Sequence, residues 1–299
     1  MSLPALPTVL YVDLVRAALA EDLGRAGDLT TDAIVPAERE AAGRLIARGA
    51  GRVCGLEVAA AAFRELDPEV EVDLRVGDGA DVEAGAILAG VRGRARALLT
   101  AERVALNFLG RLSGIATATR DLVRLVAGTG ARIADTRKTT PGLRALEKYA
   151  VRVGGGANHR FGLDDAVLVK DNHLALAGGV AAAVERVRAS VGHLVKVEVE
   201  VDTLEQLDEA LAAGVDAVLL DNMTPETLAQ AVHRVAGRAV TEASGGITAE
   251  TLPAVAAIGV DLVSVGWITH SAPALDVAFD LAPHPPGFAP LVGPPDPIG

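Results

Sequence analysis

Residues 194–222 read LVKVEVEVDTLEQLDEALAAGVDAVLLDN, an apolar run, then a helical stretch, then a second apolar run. Within the first run, valines at 197–201 alternate with carboxylates, which predicts a strand with two different faces. Asp202 or Thr203 could cap the helical stretch that extends to Ala213, since both residue types are favoured helix N-caps. Pro225, farther along the chain, suits the first turn of a later helix. A strand, a helix and a second strand in such a short segment predict a βαβ unit with parallel strands.

The same alternation runs through the second half of the chain. Apolar runs that end in ionisable residues or glycine are separated, for the most part, by helical stretches. We predict strands at residues 131–135, 166–169, 194–201, 217–220, 238–241 and 262–265, and helices that include 203–213, 225–236 and 249–257. Ligand-type residues at the carboxyl end of each strand favour an α/β barrel over an open sheet, because in a barrel those ends face one cavity.

The first part of the chain is organised differently. Helical spacing at residues 8–20 is followed, from 40 to 94, by short strands and turns with one helix near 56–66. A long helical pattern then occupies 100–127, and Ser113-Gly114 predicts a break in it. Seven prolines fall in residues 283–299, and the Pro-rich tail at 284–299 is predicted to be disordered.

Composition limits the class of protein. The chain has 299 residues, 50% of them apolar, a single cysteine (Cys54) and a net charge of −11. One cysteine excludes an internal disulfide, and we interpret Cys54 as a small buried hydrophobe in a cytoplasmic protein. The acidic balance and the 3% aromatic content argue against nucleic-acid binding, and no apolar run is long enough to span a membrane.

Positive charge is nevertheless concentrated between residues 135 and 173. Seven cations and five carboxylates occupy this block, which holds three of the four lysines of the chain: Lys138, Lys148 and Lys170. An acidic chain that gathers its cations between glycines and short apolar runs is predicted to form a pocket for an anion.

The predicted strand ends bring these cations beside carboxylates and glycines. In strand order they contribute Arg137 and Lys138; Lys170, Asp171 and His173; Glu200 and Asp202; Asp221 and Asn222; Glu242, Ser244, Gly245 and Gly246; and Gly266. A glycine-rich turn before a helix binds phosphate through unpaired backbone N–H groups and the helix dipole. Such a turn taken alone is more often an ordinary loop. Its place in the penultimate unit, where barrels bind phosphate, favours the phosphate site.

Two of the carboxylates, Glu200 and Asp221, suit several roles. Each could be the ion-pair partner of Lys138 or Lys170. Each could also bind diol oxygens or a hydrated Mg²⁺, which prefers one or two carboxylates together with phosphate oxygens. The residue pattern leaves these alternatives open.

Alternation along the strand at 194–201 places Lys196, Glu198 and Glu200 on one face. The valine face would meet the helices of a barrel, so we expect Lys196 and Glu198 to form an ion pair deep inside it.

The histidines divide into two groups. His159 and His173 lie in polar runs beside Asn or Arg residues, which favours a ligand role over a core role. His193 and His233 are predicted to be at the surface, and the His-x-x-x-His spacing of many metal sites is missing from the sequence.

Several segments in a fixed order carry a family resemblance. They are EDLGxxGDLTT (21–31), AERVALNFLxRLSGIAT (101–117), the block 135–173, VEVD (199–202), LLDN (219–222), EASGGI (242–247) and VGxxTHS (265–271). Together they resemble the nicotinate-nucleotide pyrophosphorylase (carboxylating) family, that is, the quinolinate phosphoribosyltransferases. The resemblance extends over roughly residues 8–282.

The resemblance implies a fold, a reaction and an assembly. The implied fold is an N-terminal α/β sandwich domain over 1–110, an incomplete α/β barrel of parallel strands over 111–270, and a segment, 271–283, that returns to the N-terminal domain. The implied reaction converts quinolinate and phosphoribosyl pyrophosphate into nicotinate mononucleotide, CO₂ and pyrophosphate with Mg²⁺. The implied homodimer places the N-terminal domain of one subunit over the barrel mouth of the other, and further pairing into hexamers stays open.

The resemblance also implies roles for individual residues. The residues that would bind the two quinolinate carboxylates are Arg137, His159 and Arg160, and Arg103 would enter the site from the partner subunit. The residues that would face the anionic groups of both substrates are Lys138 and Lys170. Those implied for the ribose hydroxyls and, through water, Mg²⁺ are Glu200 and Asp221. Those implied for the 5′-phosphate are Ser244, Gly245, Gly246 and Gly266. The implied catalytic residues are Lys138, Lys170, Glu200 and Asp221. Trp267 departs from the family, which usually has a small residue at this position.

Three alternative functions remain on the sequence alone. A paralogous phosphoribosyltransferase could act on another aromatic acid such as nicotinate, although a monocarboxylate needs fewer cations. A barrel lyase could use Lys170 as a Schiff-base amine. A non-catalytic relative attached to molybdate transport would be expected to lack the cationic site residues, which are present here.

Overall fold

The computed structural model describes residues 4–282, which form two compact units. The first unit contains the described residues up to Thr117 and those from Ala272 onward, and the second spans Ala118–Ser271. The predicted Pro-rich tail at 284–299 lies outside the described residues.

The secondary structure combines helices and strands throughout both units. The helices are α1 (Val12–Leu23), α2 (Leu29–Ile34), α3 (Leu56–Leu66), α4 (Ala95–Leu125), α5 (Arg144–Val153), α6 (Asp171–Ala177), α7 (Val180–Ser190), α8 (Leu204–Ala212), α9 (Pro225–Val235), α10 (Leu252–Ala257) and α11 (Trp267–His270), with a 3-10 helix at Thr8–Leu10. The strands are β1 (Glu40–Ala47), β2 (Gly51–Arg52), β3 (Glu71–Leu74), β4 (Asp81–Val82), β5 (Ile87–Arg94), β6 (Arg132–Ala134), β7 (Val167–Val169), β8 (Val197–Val201), β9 (Ala217–Asp221), β10 (Val240–Ser244), β11 (Leu262–Ser264) and β12 (Val277–Ala282).

The first unit is built on a four-stranded antiparallel sheet in the order β12-β1-β5-β3. The last strand, β12, pairs with β1, so the end of the described chain completes the sheet of the first unit. Phe63 of α3 and Phe279 of β12 lie with their ring centroids 5.7 Å apart, and both side chains are buried. Burial of such aromatic pairs is a main source of stability in a domain core.

Helix α4 is continuous, so the break predicted at Ser113-Gly114 is wrong. Both residues have packing roles instead. The hydroxyl of Ser113 accepts from the backbone N–H of Cys54 at 2.9 Å. A Cβ at Gly114 would lie 2.0 Å from the carbonyl oxygen of Pro273, so glycine permits the chain to pass closely here. Cys54 is fully buried, as predicted for a small core residue.

The second unit contains a parallel sheet in the order β6-β11-β10-β9-β8-β7. Each of the six predicted strands is present, and β10 extends three residues beyond its predicted end at Thr241. Within residues 4–282, β6 and β7 form the two edges of this sheet, and a single bridge from Ala157 to Ala134 continues the β6 edge. The predicted fold class, an N-terminal sheet domain followed by parallel strands and helices, is confirmed.

Helix starts in the second unit follow the predicted chemistry. The hydroxyl of Thr203 accepts from the backbone N–H of Gln206, and the Gln206 side chain accepts in return, which forms a capping box at α8. Pro225 occupies the first turn of α9, where its missing N–H costs nothing.

The predicted ion pair between Lys196 and Glu198 is wrong. Lys196 precedes β8, at the amino end of the strand, and its side chain is 78% exposed. It forms an ion pair with Asp216 at 2.6 Å, whereas Glu198 points inward and contacts His159. A lysine at the amino end of a strand reaches solvent more easily than the interior, so burial of its charge is avoided. His193 and His233 are exposed, as predicted.

In residues 4–282 we find no helix that combines the length and the apolar character needed to cross a membrane.

Candidate functional site

The carboxyl ends of the parallel strands in the second unit carry most of the predicted site residues. In strand order these are Arg137 and Lys138 after β6, Lys170 after β7, Glu200 in β8, Asp221, Ser244, Gly245 and Gly246 at and after the ends of β9 and β10, and Gly266 after β11. His159 and Arg160 lie on the loop between α5 and β7, and Arg103 is exposed on α4 in the first unit. Parallel strands present their carboxyl ends on the same edge of a sheet, so the residues of the second unit share one edge.

A buried network fixes the loop that carries His159 and Arg160. The carboxylate of Asp135, fully buried after β6, forms an ion pair with Lys148 of α5. It also accepts hydrogen bonds from the Asn158 side chain at 2.6 Å and from the backbone N–H of His159 at 2.9 Å. Lys148 donates to the carbonyl of His159 at 3.0 Å. Buried charges that are paired and hydrogen-bonded in this way hold the backbone in a single conformation.

Both ring nitrogens of His159 have partners within the protein. The backbone N–H of Arg160 donates to Nδ1 at 2.7 Å, so Nδ1 is an acceptor and Nε2 carries the proton. Nε2 lies 3.0 Å from an oxygen of Glu198 and 3.7 Å from Oε1 of Glu242. The loop that carries His159 is joined to β6 by the bridge between Ala157 and Ala134, whereas Glu198 lies on β8. These two strands are not neighbours in the sheet, so the sheet must curve for the two side chains to be in contact.

Glu242 is the more deeply buried of the two carboxyls beside His159, with 2% of its surface exposed. In the part of the chain that the structure describes, its Oε1 has no hydrogen-bond partner. Burial and the nearby charge of Glu198 raise the pKa of Glu242 to about 7. Burial lowers the pKa of His159, but the hydrogen bond to Glu198 and the charge of Glu242 outweigh it and raise that pKa. The two groups therefore compete for one proton.

Arg160 is a cation with an unmet donor. Its Nη1 donates to the carbonyl of Ala166 at 3.1 Å, while its Nε is buried and has no acceptor among residues 4–282. Burial and the positive charge of Arg137 lower the pKa of Arg160. An anion between these two guanidinium groups would relieve their repulsion and accept the unmet hydrogen bond.

Lys170 and Glu200 form an ion pair at the ends of neighbouring strands, with Lys170 partly exposed. The ring Nδ1 of His173 accepts from the backbone N–H of Lys170 at 2.9 Å, so this histidine caps α6 and positions the lysine backbone. On the next strand, Asp221 accepts from the side chain of Asn222 at 2.5 Å.

The turn after β10 contains two consecutive glycines in conformations that other residues rarely adopt. Gly245 and Gly246 both have positive φ, at 97° and 59°. A Cβ at Gly245 would lie 2.1 Å from the side-chain oxygen of Asn222 and 2.9 Å from its backbone nitrogen. Gly266 is also close-packed, because a Cβ there would lie 2.9 Å from the side chain of Lys138. Backbone N–H groups in such a turn can bind an anion such as phosphate.

Glu242 was predicted only as one of the strand-end residues, and Glu198 only as the partner of Lys196, so neither had a predicted role toward a proton or a ligand. The signal that could have found them is a carboxylate inside an apolar parallel strand, where both faces are covered and a charge must have a partner. It could not have identified the partner, because His159 is distant along the chain from both residues.

Comparisons with known proteins extend over nearly the whole chain. Residues 28–113 match the model of the quinolinate phosphoribosyl transferase N-terminal domain, and residues 115–280 match that of the C-terminal domain. Nicotinate-nucleotide pyrophosphorylase (carboxylating) of Mycobacterium leprae is 48% identical over 277 residues, covering 90% of this chain and 96% of that protein. Quinolinate phosphoribosyltransferase (decarboxylating) 2b, mitochondrial, of Nicotiana tabacum is 39% identical over 296 residues, covering 93% and 84%. The crystal structure of NadC from Streptococcus pyogenes is similar with a TM-score of 0.90 at 43% identity, covering 94% of this chain and 99% of that one.

Proposed function

Since this chain belongs to the quinolinate phosphoribosyl transferase family, it is a decarboxylating phosphoribosyltransferase of de novo NAD synthesis, and we propose that the strand ends of the second unit form its active site. The substrates are quinolinate and phosphoribosyl pyrophosphate. The observation that carries the proposal is the group of cations, carboxylates and glycines at the carboxyl ends of the parallel strands.

Quinolinate is a dianion, and its two carboxylates require more than one cation. Arg137 and Arg160 are close enough to repel each other, and Arg160 has an unmet buried donor. Arginine recognises a carboxylate through paired N–H groups as well as through charge. We assign the pyridine dicarboxylate to Arg137 and Arg160. His159 holds Arg160 in place, because its Nδ1 accepts a hydrogen bond from the backbone N–H of Arg160.

Phosphoribosyl pyrophosphate would occupy the neighbouring strand ends. Gly245 and Gly246, whose positive φ angles suit a tight turn, would bind the 5′-phosphate through their backbone N–H groups. Gly266, just before α11, and the Ser244 hydroxyl would complete this site. Lys138 and Lys170 would face the pyrophosphate, which leaves with its negative charge.

The carboxylates Glu200 and Asp221 would bind the ribose hydroxyls and stabilise positive charge at C1 as pyrophosphate leaves. They also fit a hydrated Mg²⁺, because this cation takes one or two carboxylates together with water and phosphate oxygens, and Glu200 and Asp221 lie on neighbouring strands. When bound, Mg²⁺ would neutralise charge on the leaving pyrophosphate. After ribosylation, CO₂ leaves from ring carbon 2, the positively charged ring stabilises the electron pair left on that carbon, and a proton then adds there, so no covalent nucleophile is needed.

We also propose that the enzyme acts in the cytoplasm as a homodimer in which Arg103 of each chain completes the site of its partner. Two features support this arrangement. Arg103 is exposed on α4, and Cys54, the single cysteine, suits a reducing compartment.

The direct test is to mix the protein with quinolinate, phosphoribosyl pyrophosphate and Mg²⁺. We expect nicotinate mononucleotide and CO₂ in equal amounts, and a loss of turnover when a chelator removes Mg²⁺. Nicotinate in place of quinolinate is the control for a paralogous activity. Faster turnover of nicotinate, or the absence of product at every enzyme concentration, would reject the proposal.

A further inference from the structure

The side chains of His159, Glu198 and Glu242 form a cluster beside the parallel sheet. None of the three contacts a substrate in the function proposed above. Nε2 of His159 lies 3.0 Å from Glu198 and 3.7 Å from Glu242, and the Oε1 of Glu242 is buried without a hydrogen-bond partner among residues 4–282. Two carboxylates this close, shielded from water, repel each other unless a cation or a proton lies between them. The cluster therefore requires an additional positive charge.

A metal ion would be one source of that charge, since the ligand atoms of the three residues lie within 4.8 Å of one another. The hydrogen bonds of His159 argue against it. The Arg160 backbone N–H donates to Nδ1 at 2.7 Å, so the proton of the neutral ring is on Nε2, the nitrogen that faces the carboxylates. A histidine that binds a metal normally donates its second N–H outward, and here that nitrogen accepts.

A proton on Glu242 is the arrangement that fits these contacts. While Nδ1 of His159 accepts from Arg160, the ring holds one proton, on Nε2, and donates it to Glu198. The proton for which His159 and Glu242 compete then lies on Glu242, whose Oε1 has no hydrogen-bond partner among residues 4–282. A neutral carboxylic acid avoids a second buried negative charge at this position. Burial and Glu198 raise the pKa of Glu242 to about 7, while His159 and the Ser264 hydroxyl act in the opposite direction. The charged groups that face the cluster from the β6 edge and α5 are Asp135 and Lys148, which pair with each other.

We propose that Glu242 is a neutral carboxylic acid in the working enzyme and a positioning residue that keeps the neighbouring arginine site attractive to an acidic substrate. Two sets of contacts connect Glu242 with Arg160. Glu242 and Glu198 both lie beside Nε2 of His159, and Nδ1 of His159 accepts a hydrogen bond from the backbone N–H of Arg160. The negative charge of Glu198 already acts on Arg160, and a second buried charge beside it would compete with the substrate carboxylate. This step rests on the proposed function, because it takes Arg160 as a carboxylate-binding residue.

Substrate affinity should consequently depend on the protonation of Glu242. For the unmodified enzyme we expect the KM for quinolinate to rise several-fold between about pH 6 and about pH 9, with a smaller change in kcat. Glu242→Gln replaces the acid with a neutral group of the same shape. We expect this variant to keep the low KM of the acidic range across the whole interval.

The matched control is Glu147→Gln. Glu147 is also fully buried, and it accepts hydrogen bonds from the backbone and hydroxyl of Thr140 at 3.0 and 2.8 Å. This variant should keep the pH dependence of KM seen in the unmodified enzyme. A high KM for Glu242→Gln at every pH would mean that the ionised carboxylate is the working form and would overturn the proposal.

Infrared spectroscopy of the ligand-free protein supplies a test that needs no turnover. We expect a protonated carboxyl band at about pH 6 that disappears by about pH 9, is missing from Glu242→Gln and persists in Glu147→Gln. If the band is present but quinolinate is not converted, the proposed function fails while the neutral carboxyl stands. Lack of the band in the unmodified protein, or one Zn²⁺ or Mn²⁺ retained after dialysis and lost in Glu242→Gln, would overturn the inference.

Discussion

At the scale of the residue, one buried carboxyl couples stability to pH. The pKa of Glu242 in the folded protein is about 7, above the 4.5 of an unperturbed glutamate, so the folded state binds more protons than the unfolded state between these values. The stabilising contribution of this residue is complete below about pH 4.5 and is lost as the pH rises through about 7.

We predict that Glu242→Gln removes this part of the pH dependence. Between about pH 5 and about pH 9, the unmodified protein should lose more free energy of unfolding than the variant, with a difference of at most about 3 kcal/mol. Urea denaturation at a series of pH values measures it. Parallel curves for the two proteins would contradict the prediction.

The glycine turn after β10 allows a sharper test of backbone geometry. Gly245→Ala places a Cβ at φ 97°, where it meets both the side chain and the backbone nitrogen of Asn222. We expect a loss of about 1–3 kcal/mol in stability and at least about a tenfold higher KM for phosphoribosyl pyrophosphate. Gly246→Ala is the matched control, because its Cβ meets nothing within 4 Å and only strain at φ 59° remains. An unchanged KM for phosphoribosyl pyrophosphate in a folded Gly245→Ala protein would argue against the turn as the phosphate site, and equal losses of stability in the two variants would contradict the clash with Asn222.

At the scale of the element, helix α4 shows that a glycine can serve close packing inside a continuous helix. Ser113 and Gly114 are weak helix formers, yet the helix runs through them because Cys54 and Pro273 pack against this face. Tertiary contacts therefore outweigh a small difference in local propensity.

We predict that Gly114→Ala destabilises the protein more than Gly110→Ala does. A Cβ at position 114 would lie 2.0 Å from the Pro273 carbonyl oxygen, whereas one at 110 would lie 2.9 Å from that of Leu275. Overpacking at 114 should cost about 1–3 kcal/mol, which exceeds the gain of up to about 1 kcal/mol in helix propensity. Thermal unfolding of both variants gives the order, and a more stable Gly114→Ala would contradict it.

Strand β8 likewise distributes its charges by position. Lys196, just before the amino end, pairs with Asp216 in solvent, while Glu200 near the carboxyl end pairs with Lys170. Glu198 lies between them and points inward to His159. The alternation of the strand determines the face of each charge, and its position along the strand determines whether water can reach it.

At the scale of the whole molecule, the proposed homodimer makes a distinctive prediction. Arg103→Ala should abolish turnover, because each site would lose a cation contributed by the partner subunit. Lys138→Ala should also abolish it, by removing a cation from the site of its own chain. Mixing the two inactive proteins after subunit exchange should restore part of the activity, since one site in each mixed dimer is then intact.

Steady-state assays of the mixture, with each variant alone as the control, measure this recovery. Subunit exchange is first verified by size and by labelling. If activity then fails to recover, the result contradicts a site shared between subunits.

The parallel strands, their helices and the residues at the strand ends could be predicted from the amino-acid sequence, because each depends on local periodicity or local chemistry. Thr203 and Pro225 mark helix starts through bonds that close within one turn. The partner of Lys196, the continuity of α4 and the cluster of His159 with Glu198 and Glu242 became visible only in the folded chain. Those features depend on which distant segments meet and on which charges lose contact with water, and neither is encoded in the spacing of residues along one element.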